Sequence, residues 1–208
     1  MSLLLNYCNL NNVELWLVAR IYIAAILPVL LSIYFYLTKQ VSYHYSIILI
    51  STFFLASLGW ELWMTYGFAG GLPVDLRRSD GLNCAIPINL NWILNSLADT
   101  LVVWIGLCLL KLKYKNKSPF IKWQWSAFFI LLIWFVTQNI YVEAFLYHLQ
   151  LGSNGDISWA PFHPLGSWFN PILFEIMGRP ITLQSQSSWF LMTPLIYYLS
   201  IRFYKKFN

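Results

Sequence analysis

The sequence predicts an all-α fold, a polytopic bundle of about five transmembrane helices that forms one membrane domain over residues 1–208. Hydrophobic residues make up 59% of the chain and charged residues only 10%, and the mean hydropathy is +0.59. A chain this apolar cannot bury its hydrophobic surface in one soluble core of ordinary size. Its apolar runs are continuous rather than alternating, which favours helices, because helices satisfy their own backbone hydrogen bonds in lipid.

Each predicted span is an apolar run long enough to cross about 30 Å of hydrocarbon at 1.5 Å per residue. Four runs meet this length easily, and the fifth is near the minimum. The expected spans are residues 13–38, 45–68, 89–112, 123–149 and 187–203. The first twelve residues carry no basic region of the kind that opens a signal peptide, so we expect the first span to be retained.

The basic residues predict the orientation of the bundle. Nine of them lie after the first span, around the end of the third span or at the C-terminus, whereas three lie on the opposite side and Arg20 lies inside the first span. The positive-inside rule then places the N-terminus outside and the C-terminus inside, with the basic loops in the cytoplasm. The expected location is a plasma or inner membrane or an endomembrane. The nine residues are Lys39, Lys111, Lys113, Lys115, Lys117, Lys122, Arg202, Lys205 and Lys206.

Two longer connections, residues 69–88 and 150–186, fall on the predicted outer side. Within the second, the apolar stretch 171–177 is bounded by Pro171, Gly178 and Pro180 and is too short to span. We expect an interfacial helix there, with a re-entrant helix as the alternative. Cys8 and Cys84 also fall on this side, either bridged by a disulfide or present as two unpaired residues.

Polar side chains repeat every four residues along three of the predicted spans, which places each set on one helical face. Ionisable groups inside spans are costly and mark functional sites by default. The alternative is that these side chains hold helices together by interhelical hydrogen bonds. The three sets are Ser57, Glu61 and Thr65; Asn91, Asn95 and Asp99; and Asn139, Glu143 and Tyr147.

These faces and Arg20 reach a similar depth, so we predict one outer-facing polar pocket with Arg20 near its carboxylates. One cation cannot neutralise three carboxylates in low dielectric, so at least one acid is expected to be protonated near neutral pH. The predicted catalytic residues are Glu61, Asp99 and Glu143. The predicted ligand-binding residues are Arg20, Asn91, Asn95, Gln138, Asn139, Tyr147, Trp60 and Trp63.

No metal or cofactor site is predicted. His148 and His163 could join Glu143 and Asp156 as metal ligands, but the tight spacing of known metal motifs is absent. There is also no phosphate-binding glycine loop and no nucleophile elbow. The net charge of +5 is explained by membrane topology, so we expect no nucleic-acid partner.

Three of the predicted spans contain short stretches with a shared resemblance: Gly59 to Trp63, Asp99 with Thr100, and Gln138 to Tyr141 followed by Phe145 to Tyr147. These stretches resemble the emopamil-binding, sterol-isomerase (EXPERA) family. The family's acidic-and-arginine loop motif is not reproduced, since Asp75 and Arg77 follow a glycine-rich insertion. The resemblance implies isomerisation of a double bond through a carbocation that carboxylates and aromatic rings stabilise.

The sequence favours a membrane protein whose pocket binds or transforms a lipophilic small molecule, and it leaves open whether the chain is an enzyme. One alternative is a non-catalytic subunit or assembly factor that contacts a membrane-protein partner or further copies of itself. Another is a proton-coupled carrier, which is less favoured because no inverted repeat or broken span is evident. The third alternative is an enzyme of the sterol-isomerase type.

Overall fold

The computed structural model describes residues 7–39, 43–68, 72–115, 117–147 and 169–207. Residues 69–71 of the first long connection and 148–168 of the second lie outside the described residues, as do His148, Asp156 and His163. Within the described residues, four helices are long and apolar enough to cross a membrane. They are Asn12–Leu37, Tyr43–Tyr66, Ile88–Tyr114 and Trp125–Phe145, and they coincide with the first four predicted spans.

Along the described residues, the elements follow one another as helices interrupted by one hairpin. We label them α1 (Asn12–Leu37), α2 (Tyr43–Leu58), α3 (Trp60–Tyr66), a 3-10 turn (Val74–Leu76), α4 (Asp80–Ala85), α5 (Ile88–Tyr114), α6 (Trp125–Phe145), β1 (Ile172–Ile176), β2 (Arg179–Thr182) and α7 (Leu183–Phe207). The predicted fifth span lies inside α7. Because α7 begins with the polar run Gln184 to Ser188, it is not among the four helices apolar enough to cross a membrane.

The predicted second span is broken at Gly59, which separates α2 from α3. A Cβ atom at Gly59 would lie 2.5 Å from the carbonyl oxygen of Leu55, so the break needs glycine. The indole nitrogen of Trp92 on α5 donates to the carbonyl oxygen of Ser57 at 2.7 Å. This bond satisfies a backbone group next to the break, where apolar surroundings would leave it without water.

Helix α5 is the central element of the bundle. It packs against α1, α2, α3 and α6, and α7 completes a four-helix arrangement by packing against α2 and α6. The largest apolar core lies inside this arrangement and includes Leu107, Leu131, Phe135, Trp189 and Ile196. A second, smaller core joins α1 to α5 and to the segment around α4.

The two ends of the bundle differ in chemistry. One end carries the disulfide between Cys8 and Cys84, whose Cα atoms are 5.5 Å apart, and we call it the disulfide end. Of the two arrangements that the sequence leaves open for these cysteines, the structure has the bridge. The opposite end carries the nine basic residues of the predicted cytoplasmic set, and we call it the lysine end.

The prediction of a helix at residues 171–177 is wrong. This stretch contains strand β1 (Ile172–Ile176), which pairs antiparallel with β2. Met177 and Gly178 form the two-residue turn, with φ of 52° and 73°. Positive φ at both positions is the geometry of a type I′ hairpin turn, which matches the twist of the flanking strands. The β-favouring run of Ile, Leu and Phe before a Met–Gly pair therefore makes a hairpin.

Candidate functional site

A cavity of about 280 Å³ lies on α5 between α1, α3 and α6. It is formed mainly by apolar and aromatic side chains, with a smaller set of charged and amide groups among them. Eight of the eleven predicted site residues line this cavity, although they come from five different parts of the chain. They are Arg20, Trp60, Glu61, Asn95, Asp99, Gln138, Asn139 and Tyr147.

Glu61 and Asp99 form a carboxyl pair inside the cavity, close enough to interact electrostatically. Asp99 is held by the indole nitrogen of Trp60, which donates to its Oδ2 at 2.9 Å. Glu61 is 5% exposed and makes a side-chain hydrogen bond with Asn95. Its other oxygen, Oε2, is buried and has no hydrogen-bond partner among the described residues.

The break at Gly59 places two consecutive side chains at this site. Trp60 and Glu61 form the first turn of α3, directly after the break. The Trp60 ring packs against Trp189, with the centroids 5.6 Å apart, while its nitrogen reaches Asp99. Trp60 thus fixes Asp99, and Glu61 keeps one free oxygen in the same cavity.

The α6 wall is stabilised by hydrogen bonds to α7 and to Tyr147. Asn139 donates from Nδ2 to the carbonyl oxygen of Ser185 at 3.0 Å, and the hydroxyl of Tyr147 donates to Asn139 Oδ1 at 3.2 Å. Tyr147 also lies within electrostatic range of Glu143, Glu61 and Asp99. The amide of Gln138 donates to the carbonyl oxygen of Phe135 at 2.9 Å. These amides are therefore held in place before any ligand binds.

Arg20 lies at the rim of the cavity and is exposed. It makes no ion pair within the described part of the chain, so the pairing with a carboxylate that the sequence suggested is not seen there. Its guanidinium therefore lies at the edge of the cavity without an ionic partner among the described residues.

Three predicted site residues do not line the cavity. Glu143 lies behind the α6 wall, where its Oε1 accepts from the backbone nitrogen of Thr182 at 3.0 Å and from Thr182 Oγ1 at 2.8 Å. Its Oε2 accepts from Nε2 of Gln186 at 2.7 Å. Trp63 packs edge-on against Phe68, with the centroids 6.1 Å apart.

Asn91 anchors the connection at the disulfide end. Its Oδ1 accepts from Arg78 Nη1 at 2.9 Å, and its Nδ2 donates to Thr65 Oγ1 at 3.3 Å. Arg78 also donates to Asn83 at 2.7 Å and to the carbonyl oxygen of Ile86. Burial lowers the pKa of the Arg78 guanidinium to about 10, so it remains charged at neutral pH.

Sequence reasoning missed the aromatic and aliphatic floor of the cavity. Trp134, Leu101, Val102 and Ile105 line its deeper part, and Trp189 lines the part near Trp60. Trp134 lies one helical turn before Gln138, so the four-residue spacing used for the polar faces would have found it. No comparable signal marks Trp189, since α7 reaches the cavity only through tertiary packing.

No protein-family model, curated protein or solved structure matches the chain. The resemblance of short stretches to the EXPERA family therefore gains no support from these comparisons. The geometry of the cavity is the basis for assigning a function.

Proposed function

We propose that this chain is an integral membrane protein that binds a lipophilic small molecule in the cavity on α5. The observation that carries the proposal is that Glu61 lines the cavity and has a buried oxygen, Oε2, without a hydrogen-bond partner among the described residues. A buried acceptor left unsatisfied costs about 1 to 3 kcal/mol, and a ligand that supplies a donor recovers this cost.

The residues that line the cavity support a ligand with a polar end and an apolar body. The polar end of the ligand carries a hydrogen-bond donor, such as a hydroxyl, which pairs with Glu61 beside Asn95 and Asp99. The rest of the ligand is hydrocarbon, because Leu101, Val102 and Trp134 form the deeper lining. At about 280 Å³ the cavity lies just below the usual range for small-molecule sites, roughly 300 to 1,000 Å³, so it accommodates one end of a long molecule.

A proton-transfer reaction on this ligand is the second candidate function. It is favoured by the difference between the two carboxyl groups, since Asp99 is bonded to Trp60 whereas Glu61 keeps a free oxygen. Two carboxyl groups in unlike surroundings can serve as acid and base in one site. Loss of turnover of a bound ligand in Asp99→Asn, with binding retained, would separate this function from binding alone.

We also propose that the disulfide end faces the non-cytoplasmic side. The nine basic residues at the lysine end favour a cytoplasmic position for that end. The bridge between Cys8 and Cys84 at the other end suits an oxidising compartment. These two arguments rest on different residues and agree.

The binding proposal is tested with a long-chain alcohol that carries a photoreactive diazirine and an alkyne tag. The matched probe is its methyl ether, which has the same chain and no donor. We expect the alcohol to label the purified protein and Glu61→Met to reduce the apparent affinity at least about tenfold, the equivalent of about 1.4 kcal/mol. The ether should bind equally weakly to both proteins.

The control variant is Glu175→Met, which removes an exposed carboxylate on β1 and should leave labelling unchanged. Equal labelling of the parent and Glu61→Met by the alcohol would contradict the role of Glu61. No saturable labelling by either probe, together with a stoichiometric protein partner in the native membrane, would favour the subunit alternative.

A further inference from the structure

The walls of the cavity do not close on the side between α1 and α6. Helix α1 packs against α5 and α4, and α6 packs against α5, α7 and β2, whereas α1 and α6 make no extensive contact with each other. Both helices nevertheless line the cavity, α1 through Leu17, Arg20, Ile21 and Ala24 and α6 through Trp134, Gln138, Tyr141 and Val142. Within the described residues, a lateral gap therefore separates the two helices above the surface of α5.

The floor of this gap is a continuous apolar track on α5. Ala98, Leu101, Val102 and Ile105 follow the spacing of one helical face, and all four are only partly buried. From Asn95 to Ile105 the track extends for about 15 Å along the helix axis, at 1.5 Å per residue. The part from Asp99 to Ile105 accounts for about 9 Å of this length and leads from the carboxyl pair toward the middle of α5.

Polarity changes along the same track. The charged and amide groups, Arg20, Glu61, Asn95, Asp99 and Gln138, lie toward the disulfide end. Ala24, Ile105 and Trp134 lie toward the middle of the bundle, on the far side of these polar groups in each helix. The apolar track on α5 continues from the carboxyl pair toward the lysine end, so we expect an amphiphile to place its head at the carboxyl pair and its tail along this track.

We infer that the gap between α1 and α6 is a lateral portal through which the ligand enters from the bilayer leaflet next to the disulfide end. This inference rests on the proposed binding function and adds the route and the ligand class, a single-chain amphiphile with a donor head. The hydrocarbon tail of that ligand lies along the apolar track on α5. Arg20 on α1 and the half-exposed Tyr141 on α6 flank the portal.

The first experiment maps the tail. Two forms of the tagged alcohol carry the diazirine either next to the hydroxyl or near the methyl end, and labelled residues are identified by peptide mass spectrometry. We expect the first form to label the segment from Trp60 to Met64 and the second to label Ala24 or the segment from Leu101 to Ile105. Labelling of the same residues by both forms would overturn the extended tail position.

The second experiment closes the portal. Ala24→Cys and Val142→Cys are combined in a Cys108→Ala background, because Cys108 is an exposed free thiol. A bismaleimide then bridges α1 to α6 in proteoliposomes before the alcohol is added. The reference is the same protein treated with N-ethylmaleimide, which modifies both thiols without joining the helices, and mass spectrometry confirms the bridge.

We expect bridging before loading to reduce labelling at least about fivefold relative to the N-ethylmaleimide reference, and bridging after loading to slow release of the alcohol. Unchanged uptake and release in the bridged protein would overturn the portal while leaving the binding function intact, because the ligand would then enter from the disulfide end. Absence of labelling in the unmodified parent would instead contradict the binding function itself.

Discussion

Glu61 and Glu143 are both buried, but they differ in how many hydrogen bonds their carboxyl oxygens accept. Glu143 accepts two hydrogen bonds from Thr182 and one from Gln186, which join α6 to β2 and to the start of α7. Glu61 retains an oxygen without a partner in the described part of the chain. We therefore assign Glu143 to holding the helices together and Glu61 to the ligand.

Replacing Glu143 tests this assignment. Glu143→Leu leaves the Thr182 backbone N–H and the Gln186 amide without their acceptor, so we expect the free energy of unfolding to fall by about 3 kcal/mol. Glu143→Gln should cost less, because the unpartnered Oε1 of Gln186 can accept from the new amide once the Gln186 amide rotates. Thermal and chemical unfolding in detergent measure both effects.

Glu61→Met is the matched comparison for that series, since it should reduce binding of the alcohol with little loss of stability. A large loss of stability in Glu61→Met, or none in Glu143→Leu, would reverse the two assignments.

At the scale of the elements, the interruption between α2 and α3 is stabilised from a neighbouring helix. Gly59 separates α2 from α3, and the indole of Trp92 satisfies the carbonyl oxygen of Ser57. The bond between α5 and the interruption also sets where Trp60 and Glu61 lie relative to Asp99. Removing it should therefore affect both stability and binding.

Trp92→Phe keeps most of the ring and removes the donor. We expect a loss of about 1 to 2 kcal/mol in unfolding free energy and weaker binding of the tagged alcohol, because the buried carbonyl loses its partner. The matched control is Trp125→Phe, since Trp125 is 64% exposed and its indole nitrogen has no partner in the described residues. Equal effects of the two substitutions would show that the hydrogen bond to Ser57 contributes nothing.

The long helices were predictable from sequence because hydropathy and length alone determine them. The interruption at Gly59 was not, because it depends on a tryptophan 33 positions later in the chain, on α5. The hairpin was missed because Gly178 was interpreted as a helix end. The Met–Gly pair between two β-favouring stretches is the local signal that indicates a type I′ turn.

The site was predictable to the extent that side chains on one helical face follow its period. Asn95 and Asp99 line the same cavity as Glu61 and Asn139, and their four-residue spacing keeps them on one face of α5. The same spacing also selected Glu143, because periodicity does not distinguish a side chain that faces a cavity from one bonded to the next helix. That distinction depends on Thr182 and Gln186, which no pattern in α6 predicts.

For the molecule as a whole, the disulfide and α5 hold α1 in place. Reduction, or a Cys8→Ser and Cys84→Ser double substitution, opens a loop that spans 76 positions. The chain-entropy estimate for a loop of this length is about 4.5 kcal/mol, which is the largest loss of stability we expect. Unfolding with and without reductant in detergent measures it, with Cys108→Ala as the control.

The bridge is also checked before purification. Alkylation of intact cells with N-ethylmaleimide, followed by mass spectrometry without reductant, should modify Cys108 and leave Cys8 and Cys84 unmodified. Alkylation of all three cysteines would contradict the bridge and the proposed sidedness together.

The docking of α1 on α5 has a consequence for synthesis. The ribosome synthesises α1 well before α5, its main packing partner, because Leu17 precedes Leu94 of the same core by 77 positions. At about 5 to 20 residues per second, α1 waits roughly 4 to 15 s in the membrane. Cys84 is translated before any residue of α5, so oxidation of the pair can tether the nascent first helix near the place where α5 will enter. A ribosome-stalling series that ends before and after residue 114 would show whether the tether forms ahead of the bundle.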